Sequence, residues 1–312
     1  MSRIWISGAR GFIGRHLARE LANSGNDVVG LGHGAWPARD AALWGVAHWL
    51  NGDIRPGNLR QLMLECGTPD FVYHLAGGSS VGAAISSPRE DFARTVSTTT
   101  ELLDWVRLEA SATRVIAISS AAVYGAGHSD GISEDKANVP FSPYGYHKLM
   151  MEQLCRSYAA TYGMRVVVAR LFSVYGSFLQ KQLLWDLCTR LSAGVSTVEL
   201  GGTGAELRDW TDVRDVVRAL DMVKDLSSDA APVVNVGTGT ATEVRAVAAL
   251  VAQSWPVEVD IAFNGKSRTG DPFSLVADGS RLQSLAFDWR ITPEAGVRDY
   301  VEWYLRQAGL EA

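Results

Sequence analysis

Ser120, Tyr144 and Lys148 are the residues of this chain whose types and spacing could move a proton. A free phenol titrates near pH ~10, too high for a good base at neutral pH. Lys148 follows Tyr144 by four positions, on the same face of a helix, and an ammonium there favours the phenolate by charge. Ser120, next to Ser119, can hydrogen-bond the reacting oxygen and steady it. A second set lies near the N-terminus, where Gly8-Ala9-Arg10-Gly11-Phe12-Ile13-Gly14 follows a short apolar run. Glycines in such a turn let the backbone approach a pyrophosphate, and the helix that follows points its N–H groups at it. The spacing is GxxGxxG rather than the standard GxGxxG. Together the two sets predict hydride transfer between a nicotinamide dinucleotide and a carbon bearing oxygen.

These residues need elements to position them. Residues 3–7 read as a buried strand. Ile13, Leu17 and Leu21 recur at helical spacing, Asn23-Ser24-Gly25 ends that helix, and 28–31 form a second strand. Further strands are predicted at 47–50, 71–75, 114–118, 165–171 and 233–236, with helices over 56–66, 89–109 and 144–162. Short apolar strands alternating with helices predict an α/β fold built on a doubly wound parallel sheet. Ligands of such sheets sit at the carboxyl ends of the strands. Gly8, Ala76, Ser119, Ser120 and Ser173 all fall just past strand ends, so they converge although scattered in sequence. Beyond residue 176 the alternation loosens, Gly201-Gly202-Thr203-Gly204 breaks the chain, and 257–263 reads as a strand outside the main sheet. The expected division is a dinucleotide-binding domain of 1–176 plus 211–240, and a smaller, discontinuous substrate lobe of 177–210 plus 241–312.

Composition narrows the function classes. The net charge of −5 over 312 residues argues against nucleic acid as the main partner. No apolar run reaches membrane-spanning length, and the chain opens on a strand pattern rather than a signal peptide. Cys66, Cys155 and Cys188 are odd in number and widely spaced, as in a reduced, cytoplasmic protein. No Cys/His cluster has zinc spacing, so no metal is expected. The ten tryptophans suggest packing and no chemistry.

On these residues the chain resembles the extended short-chain dehydrogenase/reductases of the NAD(P)-dependent nucleotide-sugar epimerase/dehydratase family. The resemblance runs over essentially the whole chain. It is carried by the Gly8 to Gly14 turn, Asp53-Ile54, His74-Leu75-Ala76-Gly77 and Ser119-Ser120-Ala121-Ala122-Val123-Tyr124-Gly125. It continues through Tyr144-Gly145-Tyr146-His147-Lys148, Arg170-Leu171-Phe172, Arg208-Asp209-Trp210-Thr211-Asp212-Val213, Asn235-Val236-Gly237 and Arg268-Thr269-Gly270-Asp271. The resemblance implies a Rossmann-type fold, with Ser120, Tyr144 and Lys148 catalytic. It implies a dinucleotide held by Gly8, Arg10, Gly11, Phe12, Ile13, Gly14, His33, Asp53, Ile54, Leu75, Ala76, Gly77, Tyr144 and Lys148. It implies a nucleoside-diphosphate sugar held by Ser80, Ser173, Arg208, Arg268 and Asp271. Two positions depart from the family pattern: Ser173 and Thr95 stand where an Asn is usual.

The second strand ends Leu31-Gly32-His33-Gly34, without the acid that NAD enzymes place against the ribose hydroxyls. With Arg10 in the turn, and His33 or Arg39 as further donors, the residues favour NADP(H) over NAD(H). Nucleotide-sugar 4,6-dehydratases resemble one another in carrying an Asp-Glu pair after the active-site hydroxyl, and Ala121-Ala122 can protonate nothing. Two reactions fit: NADPH-linked reduction of a nucleoside-diphosphate-4-keto-6-deoxy sugar, toward which the cofactor argument leans, and 4-epimerisation with tightly held NAD. A third reading is a non-catalytic dinucleotide-binding sensor, which would not need Tyr144. Family members often dimerise through two helices, here carrying Leu102, Leu103, Val106, Leu149 and Met150, so a homodimer is expected; the same residues could instead face the sheet.

Overall fold

The computed structural model describes residues 1–266 and 272–310. From the N-terminus come β1 (Arg3–Ser7), α1 (Phe12–Asn23), β2 (Asp27–Gly32), α2 (Ala38–Ala42), β3 (His48–Asn51), α3 (Pro56–Cys66) and β4 (Phe71–His74). Next are α4 (Val81–Ser86), α5 (Pro88–Phe92), a π-helical turn (Ala93–Ser97), α6 (Thr98–Glu109), β5 (Arg114–Ser120), α7 (Pro143–Tyr162) and β6 (Val166–Leu171). The later elements are β7 (Ser173–Tyr175), α8 (Gln182–Ser192), β8 (Thr197–Leu200), β9 (Leu207–Arg208), β10 (Trp210–Asp212), α9 (Val213–Val223) and β11 (Val233–Val236). The last are β12 (Thr242–Glu243), α10 (Val244–Ser254), β13 (Asp260–Phe263), β14 (Ser274–Leu275), α11 (Ser280–Ser284) and α12 (Pro293–Ala308).

The chain divides into two compact units, one of residues 1–125, 134–171 and 217–236, the other of 126–133, 172–216 and 237–312. The boundary therefore falls after Leu171, not after 176. The reason is local: β7 pairs with β10 in a two-stranded sheet of its own instead of extending the main sheet.

The first unit holds a parallel sheet in the order β11-β6-β5-β4-β1-β2-β3. Strand order reverses between β1 and β4, the switch point at which ligands of doubly wound sheets bind. β6 is buried along its whole length, as expected for a strand covered by helices on both faces. Trp5 of β1 stacks on Trp105 of α6 at 5.3 Å between ring centroids. Leu102, Leu103 and Val106 of α6 pack into this same core, so they face the sheet, while Met150 of α7 is 40% exposed.

The pattern over 89–109 predicts one helix, and the structure breaks it into α5, the π turn and α6. Thr98, Thr99 and Thr100 each turn a hydroxyl back onto the carbonyl four residues earlier, at 2.5, 2.6 and 3.1 Å. Such bonding competes with the backbone ladder and accompanies bends, and π turns cluster at functional sites.

In the second unit β9 lies between β12 and β14, and β8 pairs with β13 within the region read as an outlying strand. Trp185, Trp303, Tyr304 and Trp255 form a chain of ring contacts there, which accounts for three of the tryptophans as packing.

Candidate active site

The glycine turn after β1 has the shape a pyrophosphate requires. Gly8 has φ +77°, and a β-carbon on it would crowd the backbone of Ala76 at 3.1 Å. A β-carbon on Gly14 would run into the Gly8 carbonyl oxygen. Gly11 precedes α1 as its N-cap and offers no side-chain cap, and the first turn carries no acid, so the first N–H groups of the helix stay available to an anion. This cradle fits a dinucleotide.

Around the end of β2 lie the residues that would meet the adenosine ribose. The Arg10 guanidinium lies against Gly34, where a β-carbon would sit 2.5 Å from Nη1. Arg15 donates from Nη2 to the Arg10 carbonyl at 2.8 Å, and burial and then the Arg10 charge lower its pKa. Nε2 of His33 hydrogen-bonds Oδ1 of Asp53 at 2.5 Å. An acid from the loop after β3 thus stands beside the end of β2, which has none of its own. Of the neighbouring residues, Ile54 buries its side chain in the core and has only its backbone to offer a ligand.

The loop after β4 carries Leu75, Ala76 and Gly77. His74, the last residue of β4, is fully enclosed: Nδ1 meets Ser7 Oγ at 2.8 Å and Nε2 meets Thr99 Oγ1 at 3.0 Å. Thr99 already donates its proton to the Thr95 carbonyl, so it accepts from Nε2–H, and Nδ1 accepts from Ser7. Ser7 Oγ in turn accepts from the Ala76 N–H at 3.2 Å. This neutral tautomer satisfies every group, and burial, then the Lys148 charge, pull the His74 pKa to about 3.

Two elements converge on Ser120, Tyr144 and Lys148. β5 ends at Ser120. α7 begins at Pro143, capped by Ser142, whose Oγ accepts from the Gly145 N–H at 3.2 Å. Gly145 allows α7 to lie on the loop after β5, since a β-carbon would sit 2.6 Å from the Ala122 oxygen. That approach brings Tyr144 to Ser120. Burial raises the Tyr144 pKa, a hydrogen bond with Ser120 pulls it back, and the Asp91 charge raises it further. Lys148 donates to the Ile118 carbonyl at 2.8 Å and lies 5.9 Å from the centroid of the Tyr144 ring. Burial takes its own pKa from 10.5 down to about 8, against the charges of Asp91 and Glu152. The expected depression of the phenol does not appear in the chain alone: burial and the Asp91 charge, against the Ser120 hydrogen bond, leave its pKa raised.

Three further residues line this site, of which only Thr95 was singled out in the sequence. Asp91, on α5, accepts through Oδ2 from His147 Nδ1 at 2.6 Å. Thr95, in the π turn, accepts from the Gly78 N–H through Oγ1 at 2.8 Å. Glu152, one helical turn beyond Lys148, is held by Ser119 at 2.6 Å and by Arg170 at 2.9 and 2.6 Å. His147 lies inside the Tyr144 motif and was visible there as a titratable residue; its partner was not.

Ser80 caps α4 by accepting from the Ala83 N–H at 3.3 Å. Ser173 and Arg208 belong to the second unit. The Ser173 N–H donates to the Asp209 carbonyl at 3.0 Å. Arg208 donates from Nη1 to the carbonyl of Leu207 at 2.9 Å. Buried Asp209 accepts from Thr238 Oγ1, from the N–H groups of Thr238 and Gly239, and from that of Ala277. It thereby ties the strand bearing Arg208 to two loops. Arg268 and Asp271 lie outside the described residues.

The sequence matches, over residues 4–237, the model of the NAD dependent epimerase/dehydratase family. A UDP-glucose 4-epimerase of Azospirillum brasilense is 28% identical over 299 residues, covering 90% of this chain and 85% of that one. The solved structure of MoeE5 in complex with UDP-glucuronic acid and NAD is 32% identical, with a TM-score of 0.84 over 98% of this chain and 99% of that chain. A UDP-glucose-4-epimerase of Stenotrophomonas maltophila superposes over 100% of both chains with a TM-score of 0.88; at 24% identity that likeness speaks to fold.

Proposed function

Because the chain belongs to the NAD dependent epimerase/dehydratase family, we propose that it is a 4-epimerase of a uridine-diphosphate sugar, using NAD. The observation that carries this reading is the Asp53 carboxylate beside His33 at the end of β2, while Ala121 and Ala122, after Ser120, supply no acid for dehydration. The 4-epimerase relatives and the NAD and UDP-sugar of MoeE5 support it. A bound nicotinamide supplies the acceptor and donor of the C4 hydride. Tyr144 takes the proton of the C4 hydroxyl and returns it to the other epimer, since no net oxidation occurs. Ser120 hydrogen-bonds the same oxygen. Lys148, when charged, favours the phenolate. The first unit would hold the dinucleotide through the glycine turn, Arg10, His33 and Asp53, and the segments at Ile54 and from Leu75 to Gly77. Ser80, Ser173, Arg208, Arg268 and Asp271 would hold the sugar nucleotide. Guanidinium groups suit its phosphates.

The Asp53 carboxylate beside His33 favours NAD, because it would repel a 2′-phosphate. Arg10 against Gly34 favours a second reading, NADPH-linked reduction of a 4-keto sugar nucleotide, because its guanidinium could grip that phosphate. One experiment separates them. The purified protein is assayed for bound NAD, titrated with NADH and NADPH, and incubated with UDP-glucose and UDP-glucuronic acid. Retained NAD and formation of the C4 epimer support the epimerase. Tighter NADPH binding, lost on Arg10→Ala, with no epimer formed, moves the reductase to first place. Dinucleotide binding with biological activity intact in Tyr144→Phe would support a sensor.

The free thiols of Cys66, Cys155 and Cys188 suit a reducing compartment such as the cytoplasm. Among the described residues no helix is long and apolar enough to cross a membrane. A homodimer through α6 and α7 is supported by exposed Leu108, Met150 and Tyr162. Sedimentation at twice the monomer mass, lost on Met150→Glu with Leu108→Glu, is the expected result.

A further inference from the structure

Asp91 is 5% exposed and His147 9% exposed, so both heads of their 2.6 Å hydrogen bond are withdrawn from water. A buried carboxylate needs a partner and a reason to be there. The ring of Phe92 meets that of His147 edge-on at 5.4 Å, which fixes the imidazole plane. The other carboxylate oxygen, Oδ1, sits over Gly78, where any β-carbon would overlap it. At the adjacent residue, a β-carbon on Gly77 would lie 3.4 Å from both Lys148 Nζ and Thr95 Oγ1. Asp91, Thr95 and Lys148 therefore surround the strand-end segment Gly77-Gly78 from α5, the π turn and α7.

We propose that Asp91 and His147 are a positioning pair: His147 holds the Asp91 carboxylate against Gly77-Gly78, where its negative charge acts on Lys148 and Tyr144. This rests on the reading of Tyr144 and Lys148 as the acid–base pair. The charges near the pair are few. From α7 come Tyr144, Lys148 and Glu152, the last paired with Arg170 of β6. From β4 comes neutral His74. On α5 itself Glu90 pairs with Arg94 at the exposed face. The Asp91 charge opposes the effect of burial on Lys148 and adds to it on Tyr144. It thus keeps both protons in place together, the state from which a proton can be donated.

The test follows the Lys148 side-chain signal by NMR in protein labelled at lysine, with Lys148→Met to assign it. It needs no substrate, so failure to turn over UDP-sugars would sink the function proposed above without touching this result. Asp91→Asn is isosteric and is expected to lower the Lys148 titration midpoint by about half a pH unit or more. Asp91→Glu keeps the charge and should restore the midpoint. His147→Leu should move the midpoint, and His147→Asn, whose amide can occupy the place of Nδ1, should return it. Wild-type midpoints in both Asp91→Asn and His147→Leu would overturn the proposal. A shift in Asp91→Asn alone would overturn the role of His147.

Discussion

Half-buried Tyr144 and buried Lys148 are ionisable groups, and each is set by a balance of burial against one or two named neighbours. For Tyr144 the balance keeps the phenol protonated until charge arrives, so its removal should leave the fold and remove the chemistry. Tyr144→Phe is expected to retain dinucleotide binding and to lose about a hundred- to ten-thousand-fold in turnover, read with UDP-glucose or UDP-glucuronic acid. Lys148 carries a stability consequence. Its folded pKa of about 8 lies below the ordinary 10.5. The unfolded chain therefore binds the proton more tightly, and folding bears the full penalty below about pH 8. That penalty is relieved as the pH rises from about 8 to 10.5. Lys148→Met should thus raise the unfolding free energy at pH 7 by about 1–3 kcal/mol while abolishing turnover, checked by urea titration. The Tyr144–Lys148 spacing is legible in sequence because a helix brings residues four apart onto one face. Asp91 and His147 are 56 positions apart, and nothing local links them.

At the scale of elements, the end of β4 is tied to β1 and α6 by one imidazole. His74 has a folded pKa of about 3 against an ordinary 6.5. Above pH 6.5 neither state binds the proton. Between 6.5 and about 3 the unfolded state takes it and the folded state does not, so stability falls as the pH falls through this window. His74→Gln should flatten that acid limb by about 3–5 kcal/mol at its far end, measured by denaturant titration across the window. A limb of wild-type steepness would show that other groups dominate acid unfolding. The turn between β1 and α1 makes a sterically simple prediction. A methyl at Gly14 meets backbone, which cannot swing aside. Gly14→Ala should lower stability by about 1–3 kcal/mol and weaken NADH binding, read by tryptophan quenching. The alternation of strands and helices was legible because period and turn residues are local properties. The π turn was not: three threonine hydroxyls bond carbonyls within it, and apolar period does not register that.

At the scale of the molecule, the first unit is built around a buried ion pair. Arg170 and Glu152 are both fully buried, and the guanidinium also lies 4.6 Å from the centroid of the Tyr124 ring. Burial lowers the Arg170 pKa, and the Glu152 hydrogen bonds and charge more than reverse this. Tyr124 extends the network to Asn235 of β11 at 2.7 Å, and the Asn235 N–H donates to Glu134 at 2.9 Å. Removing one partner strands the other, so Arg170→Met should destabilise by about 3–5 kcal/mol, whereas Arg170→Met with Glu152→Leu should recover most of it. Thermal melts of the two variants beside the parent protein decide this. Arg170, Asn235 and Tyr124 were visible as motif residues, without their acidic partners Glu152 and Glu134. By itself the sequence determined the parallel doubly wound fold, the family, the glycine cradle and the phase of Tyr144 with Lys148, because each depends on local period, turn chemistry or helical spacing. Only the tertiary structure decided that β7 leaves the main sheet, that Asp53 comes to His33, that Asp91 comes to His147, and that burial raises the Tyr144 pKa. Those outcomes depend on which distant segments share a strand end and on how much water is excluded there, and neither quantity is written along the chain.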